Sequence, residues 1–225
     1  LLDSEPNDLG DEFRDRLASY TGGHALFTAE LVTGMKERAE IRRDRAGLWG
    51  VRESIDWDRL PTRVDAAIAQ RIARLPNELQ RDLTNAAVQG EAFGAEAVAE
   101  AGSDPDAVPR LSSESSAAQR LIEPAGVARI GGKLAARYRF RHVLFQRYLY
   151  DRLDNAERIR LHEATGRALE GLYEGQSDVP VVDLANHFDE AHLEDSAIHY
   201  LHLAGQRAVQ MSAAEEAAGL LTRAQ

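Results

Sequence analysis

Histidine is the side chain in this sequence best suited to metal binding or proton transfer at neutral pH, because its ring titrates near pH 6.5. The chain contains seven histidines, and four of them follow one another closely: His187, His192, His199 and His202. His199 and His202 have the i, i+3 spacing of one helix face, yet no HExxH or comparable ligand set accompanies them. We therefore interpret these four histidines as solvated helix surface and predict no metal within the chain.

Serine and carboxylate chemistry lacks the neighbours that it requires. A nucleophilic serine of the GxSxG kind sits on a sharp elbow, and the serines of one polar stretch have no such context: Ser112, Ser113, Ser115 and Ser116. Two acids, Asp56 and Asp58, flank Trp57 shortly before Pro61. This pattern is typical of a lead-in that anchors an aromatic side chain outside a helix. We assign no catalytic residue.

The sequence also lacks a phosphate-binding loop. Such a loop follows GxxxxGK[ST], in which backbone N–H groups and the lysine hold the phosphates, and no such string occurs. Gly131-Gly132-Lys133 is followed by Leu134 and lacks the upstream glycine. We therefore expect that this chain, by itself, is not an enzyme and does not hydrolyse ATP.

Composition narrows the class of protein. The 225 residues carry a formal net charge of −10, with a pI of about 5.2, whereas a nucleic-acid partner requires a basic surface. The absence of cysteine excludes disulfides, and no apolar run is long enough for a membrane span. The chain begins at Leu1 and stops at Gln225 within a helical pattern. We expect a piece of a longer cytoplasmic protein.

The elements that position these residues are mainly helical. Apolar spacing predicts a first helix around Phe13 and Leu17 that ends at the Gly22-Gly23 pair, and a second around Leu31. A short hairpin is predicted between Ile41 and Val51. Later stripes predict a helix opened by Pro61, a helix after Pro76 and further helices over 95–101, 105–118, 156–173, 181–191, 195–209 and 213–225.

One segment follows a different rhythm. Tyr138 to Arg141 alternate aromatic with basic residues, which is typical of a half-buried strand, and helical spacing starts at Val143. An apolar start at Leu121, a turn at Gly131-Gly132 and the returning strand predict a β-hairpin. Helices beside one hairpin favour a winged-helix domain. His142 lies at the junction of strand and helix.

The last predicted helices carry two related patterns, EDSAIHYLHLAG and AEEAAGLLTRAQ. Small alanines and leucines at such spacing suit the close packing of helical hairpins that stack into a solenoid. The sequence therefore predicts the start of a helical-repeat array.

Four stretches resemble, in type and order, the post-ATPase half of bacterial STAND-type regulators: TGGHALFTAELV, LPTRVDAAIAQRIARLP, YRFRHVLFQRYLY and LHEATGRALEGLY. These AAA-like signal-transduction ATPases are often fused to nucleotide cyclase or transcriptional-activator modules. The resemblance implies a mainly α chain with a partial helical lid subdomain in residues 1–50, a winged-helix domain in 51–153 and a truncated tetratricopeptide-like region in 154–225. ATP or ADP would be bound mainly by an ATPase domain upstream of Leu1.

The resemblance points to His142 as a nucleotide contact. In related switches a methionine-histidine-aspartate motif follows the winged-helix hairpin, and its histidine contacts the β-phosphate of ADP in the resting state. Here Arg141-His142-Val143 occupies that place, and only the histidine matches. An imidazole N–H at a helix start can donate to a phosphate. The alternative is that His142 only caps its helix.

A second candidate contact is the run Gly23, His24 and Ala25. The family carries a GxP-type motif here, at the start of a lid helix, with its proline near the adenine. Gly23 and His24 fit this motif, and Ala25 stands where the proline would be. The alternative is that the glycines end one helix and His24 begins the next.

The function that the resemblance implies is regulatory. The chain would couple the nucleotide state of the upstream ATPase domain to the repeat region, which would bind a protein or small-molecule inducer. A homo-oligomer formed on activation is a further expected partner. Two alternatives stay open: a winged-helix transcriptional regulator that binds DNA through Arg137, Arg139, Arg141 and Arg147, and a plain repeat scaffold.

Overall fold

Helices dominate the described residues, as predicted, and two small antiparallel sheets accompany them there. The computed structural model describes residues 2–51, 55–113, 120–130 and 133–223. It divides into two compact units, Leu1–Leu75 and Pro76–Gln225. The predicted boundaries at residues 50 and 153 stay predictions. Within the described ranges, no helix combines the length and apolar character that a membrane crossing needs.

Among its described residues, the first unit contains three α-helices and a hairpin: α1 (Asp11–Thr21), α2 (Ala25–Glu37), β1 (Ile41–Arg43), β2 (Trp49–Val51) and α3 (Val64–Ile72). Gly22 ends α1 at φ +58°, which confirms the predicted break. Helix α3 starts at Val64 rather than at Pro61, because Arg63 is extended and serves as its N-cap.

Aromatic and aliphatic side chains fill the core of this unit. Trp57 is 9% exposed, lies within 6.0 Å of the ring of Phe13 and 5.5 Å of the ring of Tyr20, and packs against Leu60 and other core residues. Asp56 accepts a hydrogen bond from the Asp58 N–H and caps the short 3₁₀ turn that carries the tryptophan. For Asp56, this geometry agrees with the interpretation of a lead-in that anchors Trp57.

The second unit opens with alternating helices and strands: α4 (Asn77–Gln89), β3 (Ala92–Gly94), α5 (Ala95–Gly102), α6 (Ala107–Ser112), β4 (Ile122–Ile130), β5 (Lys133–Phe140) and α7 (Val143–Asp151). The predicted hairpin is confirmed, and β3 joins it to give the antiparallel order β3-β5-β4. The predicted turn at Gly131-Gly132 lies outside the described residues, as do Ser115 and Ser116. Helix α6 is shorter than predicted.

Three helices complete the second unit: α8 (Asn155–Leu172), α9 (Val181–Glu190) and α10 (Glu194–Arg223). The prediction of separate helices over 195–209 and 213–225 was wrong, since α10 runs without interruption from Glu194 to Arg223. No glycine or proline stands between Val209 and Ala213 to end the helix. The first pattern, and the second as far as Arg223, therefore lie along one helix.

Candidate functional site

His24 begins α2, where its ring caps the helix. The ring Nδ1 accepts a hydrogen bond from the Phe27 N–H at 3.3 Å, and His24 is exposed together with Gly23 and Ala25. Gly23 has φ +74°, a value that favours glycine. Because Nδ1 accepts, the ring proton must sit on Nε2. The described residues provide Nε2 with no hydrogen-bond partner, so it can donate to a ligand.

His142 has the same arrangement in the second unit. It is extended, at φ −151°, and its Nδ1 accepts from the Leu144 N–H at 3.1 Å as the N-cap of α7. The ring proton again lies on Nε2, which has no hydrogen-bond partner among the described residues. His142 thus stabilises the start of α7 and also offers one outward N–H. The prediction that this N–H contacts a nucleotide stays a prediction.

The sequence interpretation was wrong for His187. Three of the four clustered histidines are exposed, as expected: His192, His199 and His202. His187 is only 6% exposed, and its Nδ1 lies 3.0 Å from the Nδ1 of His162, which is equally buried. The Nε2 of His162 lies 2.9 Å from the Tyr150 hydroxyl. These three side chains form one hydrogen-bonded row across α7, α8 and α9.

Burial keeps both imidazoles neutral. Desolvation lowers the pKa of His187 to about 4, with a smaller contribution from His162 beside it. Desolvation also lowers the pKa of His162, and Arg158 lowers it further while Glu190 opposes both. The Nδ1–Nδ1 contact requires one ring to donate and the other to accept, which two protonated rings cannot do.

Sequence reasoning passed over His162, although a signal was present. In α8 the buried residues are His162, Thr165 and Gly166, at i, i+3 and i+4. That spacing marks the covered face of a helix. Gly166 is required there, because a Cβ would lie 2.8 Å from the ring of Phe188. The close approach of α8 and α9 therefore depends on a missing side chain and brings the two histidines together.

A cavity of about 70 Å³ adjoins this row in the second unit. The strands β3, β4 and β5 with α5 form one wall, and the other wall consists of α8 and α9 with the turn between them. Its polar side chains are Gln89, Glu96, Arg137, Tyr173, Asp183 and His187. Burial and the charges of Asp178 and Asp183 raise the pKa of Tyr173, against the influence of Arg137. The cavity is thus lined by side chains of opposite charge and by apolar side chains.

Arg139 and Arg141 at the hairpin and Arg110 of α6 form ion pairs within the protein. Glu123 accepts from Arg139 at 2.7 Å and from Arg141 at 3.1 Å. Arg110, the only basic residue of α6, donates to Asp82 at 2.7 Å and 3.0 Å. Asp82 is 4% exposed. These ion pairs reduce the positive charge that this surface can present to a phosphate backbone.

Within the described part of the chain, no group of three or more histidine and acidic side chains could hold a metal ion. The chain matches no protein-family model, no curated protein and no solved structure.

Proposed function

We propose that this chain is a non-catalytic regulatory segment of a STAND-type ATPase. It would couple the nucleotide state of an upstream ATPase domain to a helical arm that binds a protein or small-molecule inducer. The observation that supports this most is the order of elements from α4 to α7. Helix, strand, two helices and a hairpin, with the sheet order β3-β5-β4, are what a winged-helix domain would contain.

The elements on either side of this winged-helix unit support the same proposal. Residues 1–50 would be the partial lid subdomain of the ATPase, and α8, α9 and α10 would begin the tetratricopeptide-like arm. In the resting state ADP, held mainly by the upstream domain, would keep the winged-helix unit closed through the Nε2–H of His142. Exchange for ATP, with inducer bound, would release it. Such a switch requires the two nucleotides to bind the two arrangements with different affinities.

DNA binding is the weaker alternative. Helix α6 is six residues long and its arginine is paired with Asp82. The hairpin arginines Arg139 and Arg141 share Glu123, and the whole chain carries a net charge of −10. Because phosphate contacts dominate affinity for DNA, these features favour a winged-helix unit that contacts protein.

The first test is the reading frame that contains this segment. We expect it to encode a GxxxxGK[ST] loop upstream of Leu1, and its absence from the complete reading frame would contradict the proposal. The second test uses protein produced from that whole reading frame. Calorimetric titration of ADP and ATP should show that His142→Ala lowers ADP affinity by about tenfold to a hundredfold, the effect of one hydrogen bond to a charged group. ATP affinity should change less.

A matched variant separates the two roles of His142. Asparagine is a good N-cap residue, so His142→Asn should restore the acceptor for the Leu144 N–H and most of the thermal stability. This variant should not restore ADP affinity, because asparagine has no N–H at the position of the histidine Nε2. Recovery of both properties in His142→Asn would show that His142 is a helix cap alone.

A further inference from the structure

The cavity of the second unit has the size of a small metabolite. It measures about 70 Å³, and since roughly 10–15 Å³ suffices for one water molecule, it has room for roughly five to seven non-hydrogen atoms. Phe93 and Ala135 contribute to its apolar lining on the sheet side, and Leu169 and Leu172 on the α8 side.

Two polar side chains of this cavity are only half satisfied. Gln89 accepts from the Gly94 N–H through Oε1 at 3.0 Å, and Glu96 accepts from the Ala136 N–H through Oε1 at 3.0 Å. These bonds engage one oxygen of each side chain. The remaining atoms, Gln89 Nε2 and Glu96 Oε2, are buried without a hydrogen-bond partner in the described residues. An unsatisfied buried polar atom costs free energy, which a ligand in the cavity can recover after a small side-chain rotation.

The same cavity holds groups of both charges. Arg137 and Asp183 line it and are exposed to solvent, and neither forms a salt bridge in the described part of the chain. Burial raises the pKa of Tyr173, Arg137 lowers it and Asp183 raises it, so both charges act on this tyrosine of the cavity. A simple anion would meet the carboxylates of Glu96 and Asp183, and a simple cation would meet the guanidinium of Arg137. A molecule that carries both charges can pair with each side.

We propose that this cavity binds a small zwitterion of the α-amino acid class. Its ammonium group faces the carboxylate of Glu96, and Asp183 adds a second negative charge to the cavity lining. Its carboxylate faces the guanidinium of Arg137 and the amide N–H of Gln89. The side chain of the ligand packs against the apolar wall. The limited volume selects a small amino acid over a large one.

This site also suggests a role for its ligand within the proposed function, and that role rests on the proposed function. The cavity lies where the proposed winged-helix unit meets α8 and α9, so a bound amino acid would join the two and act as inducer or co-inducer. Binding itself does not depend on an upstream ATPase domain. A failure of either proposal is therefore visible without a failure of the other.

The test is calorimetric titration of the 225-residue chain with three probes: L-alanine, L-alaninamide, which lacks the carboxylate, and propionate, which lacks the ammonium group. We expect saturable binding of one L-alanine per chain with a Kd below roughly 10 mM, the weak range expected of so small a ligand. Loss of either charged group should weaken binding by about tenfold or more. No binding of L-alanine, or equal binding of all three probes, would overturn the proposal.

Variants place the ligand within the cavity. Glu96→Gln keeps the acceptor for the Ala136 N–H and removes the charge, and Arg137→Gln removes the opposite charge. Each should weaken L-alanine binding by about 10- to 100-fold. The matched controls are Glu100→Gln on the exposed face of α5 and Arg139→Gln on the same strand as Arg137.

Both controls should bind like the wild type. Filling the half-buried wall with Ala128→Leu should abolish binding while the melting temperature stays near that of the wild type. If Ala128→Leu, Glu96→Gln and Arg137→Gln each bound L-alanine like the wild type, the site would be refuted.

Discussion

The buried pair of His162 and His187 predicts that the second unit loses stability in mild acid. The pKa of His187 is lowered to about 4 in the folded chain, against about 6.5 in an unfolded one. Below pH 6.5 the unfolded ring binds a proton that the folded ring refuses. The unfolding free energy therefore has its full value above pH 6.5 and decreases as the pH falls toward 4.

The magnitude follows from this difference in pKa. Each pH unit in the window between the two values costs about 1.4 kcal/mol, so a change from pH 7 to pH 5 should remove about 2 kcal/mol of unfolding free energy through His187 alone. His162, whose pKa is also lowered, acts in the same direction. For a domain of this size, about 2 kcal/mol corresponds to a decrease in melting temperature of roughly 4–8 °C.

The assay is urea unfolding of the chain at pH 7, 6 and 5, for wild type, His187→Gln and the exposed control His202→Gln. Glutamine keeps a polar partner for His162 but does not titrate, so the loss between pH 7 and 5 should shrink by about 2 kcal/mol in His187→Gln. It should stay unchanged in His202→Gln. An NMR titration of the wild type adds a direct measurement, in which the His187 ring should remain neutral at pH 5.

Equal pH dependence in wild type and His187→Gln would refute the reasoning. So would a His187 ring that titrates near pH 6.5 in the folded protein. The NMR measurement decides the question even if the variant fails to fold, because it uses only the wild-type chain.

Five further outcomes are expected. Gly166→Ala places a Cβ 2.8 Å from a buried ring and should lower the unfolding free energy by about 1–3 kcal/mol. Gly171→Ala, on the same helix with open space around it, should raise it by about 0.5–1 kcal/mol; equal effects in urea unfolding would contradict the packing argument. Arg110→Ala strands the buried Asp82 carboxylate and should cost about 3–5 kcal/mol by the same measurement. In fluorescence anisotropy at physiological salt, the chain should show no sequence-specific DNA binding, and tight binding to one sequence would favour the transcriptional-regulator alternative. The purified chain should also release no phosphate from ATP, and hydrolysis that survives repurification would overturn its non-catalytic assignment.

The sequence by itself determined where most helices lie. Local patterns were sufficient, because helix formation depends on residues three and four apart and on breakers such as Gly22. The hairpin followed equally from alternation between Leu121 and Arg141. The position of His142 at a strand-to-helix junction was predictable for the same reason. Its role as an N-cap was one of the two alternatives that the sequence left open.

Tertiary structure decided which of these positions are covered. Strand β3 has only three residues and forms because β5 offers a partner, with Phe93 opposite Tyr138 in the ladder. His187 and His192 lie in one short sequence segment, yet only His187 faces another helix, since α8 approaches closely at Gly166.

The cavity likewise depends on residues that are distant in sequence. Gln89 and Glu96 come from one end of the second unit's sequence, and Asp183 comes from α9. Periodicity identifies the face of a helix that will be buried, but it does not identify the element that buries it. The partner is chosen by contacts across long sequence separations, where each pairing must bury enough apolar surface to offset the conformational entropy lost on folding.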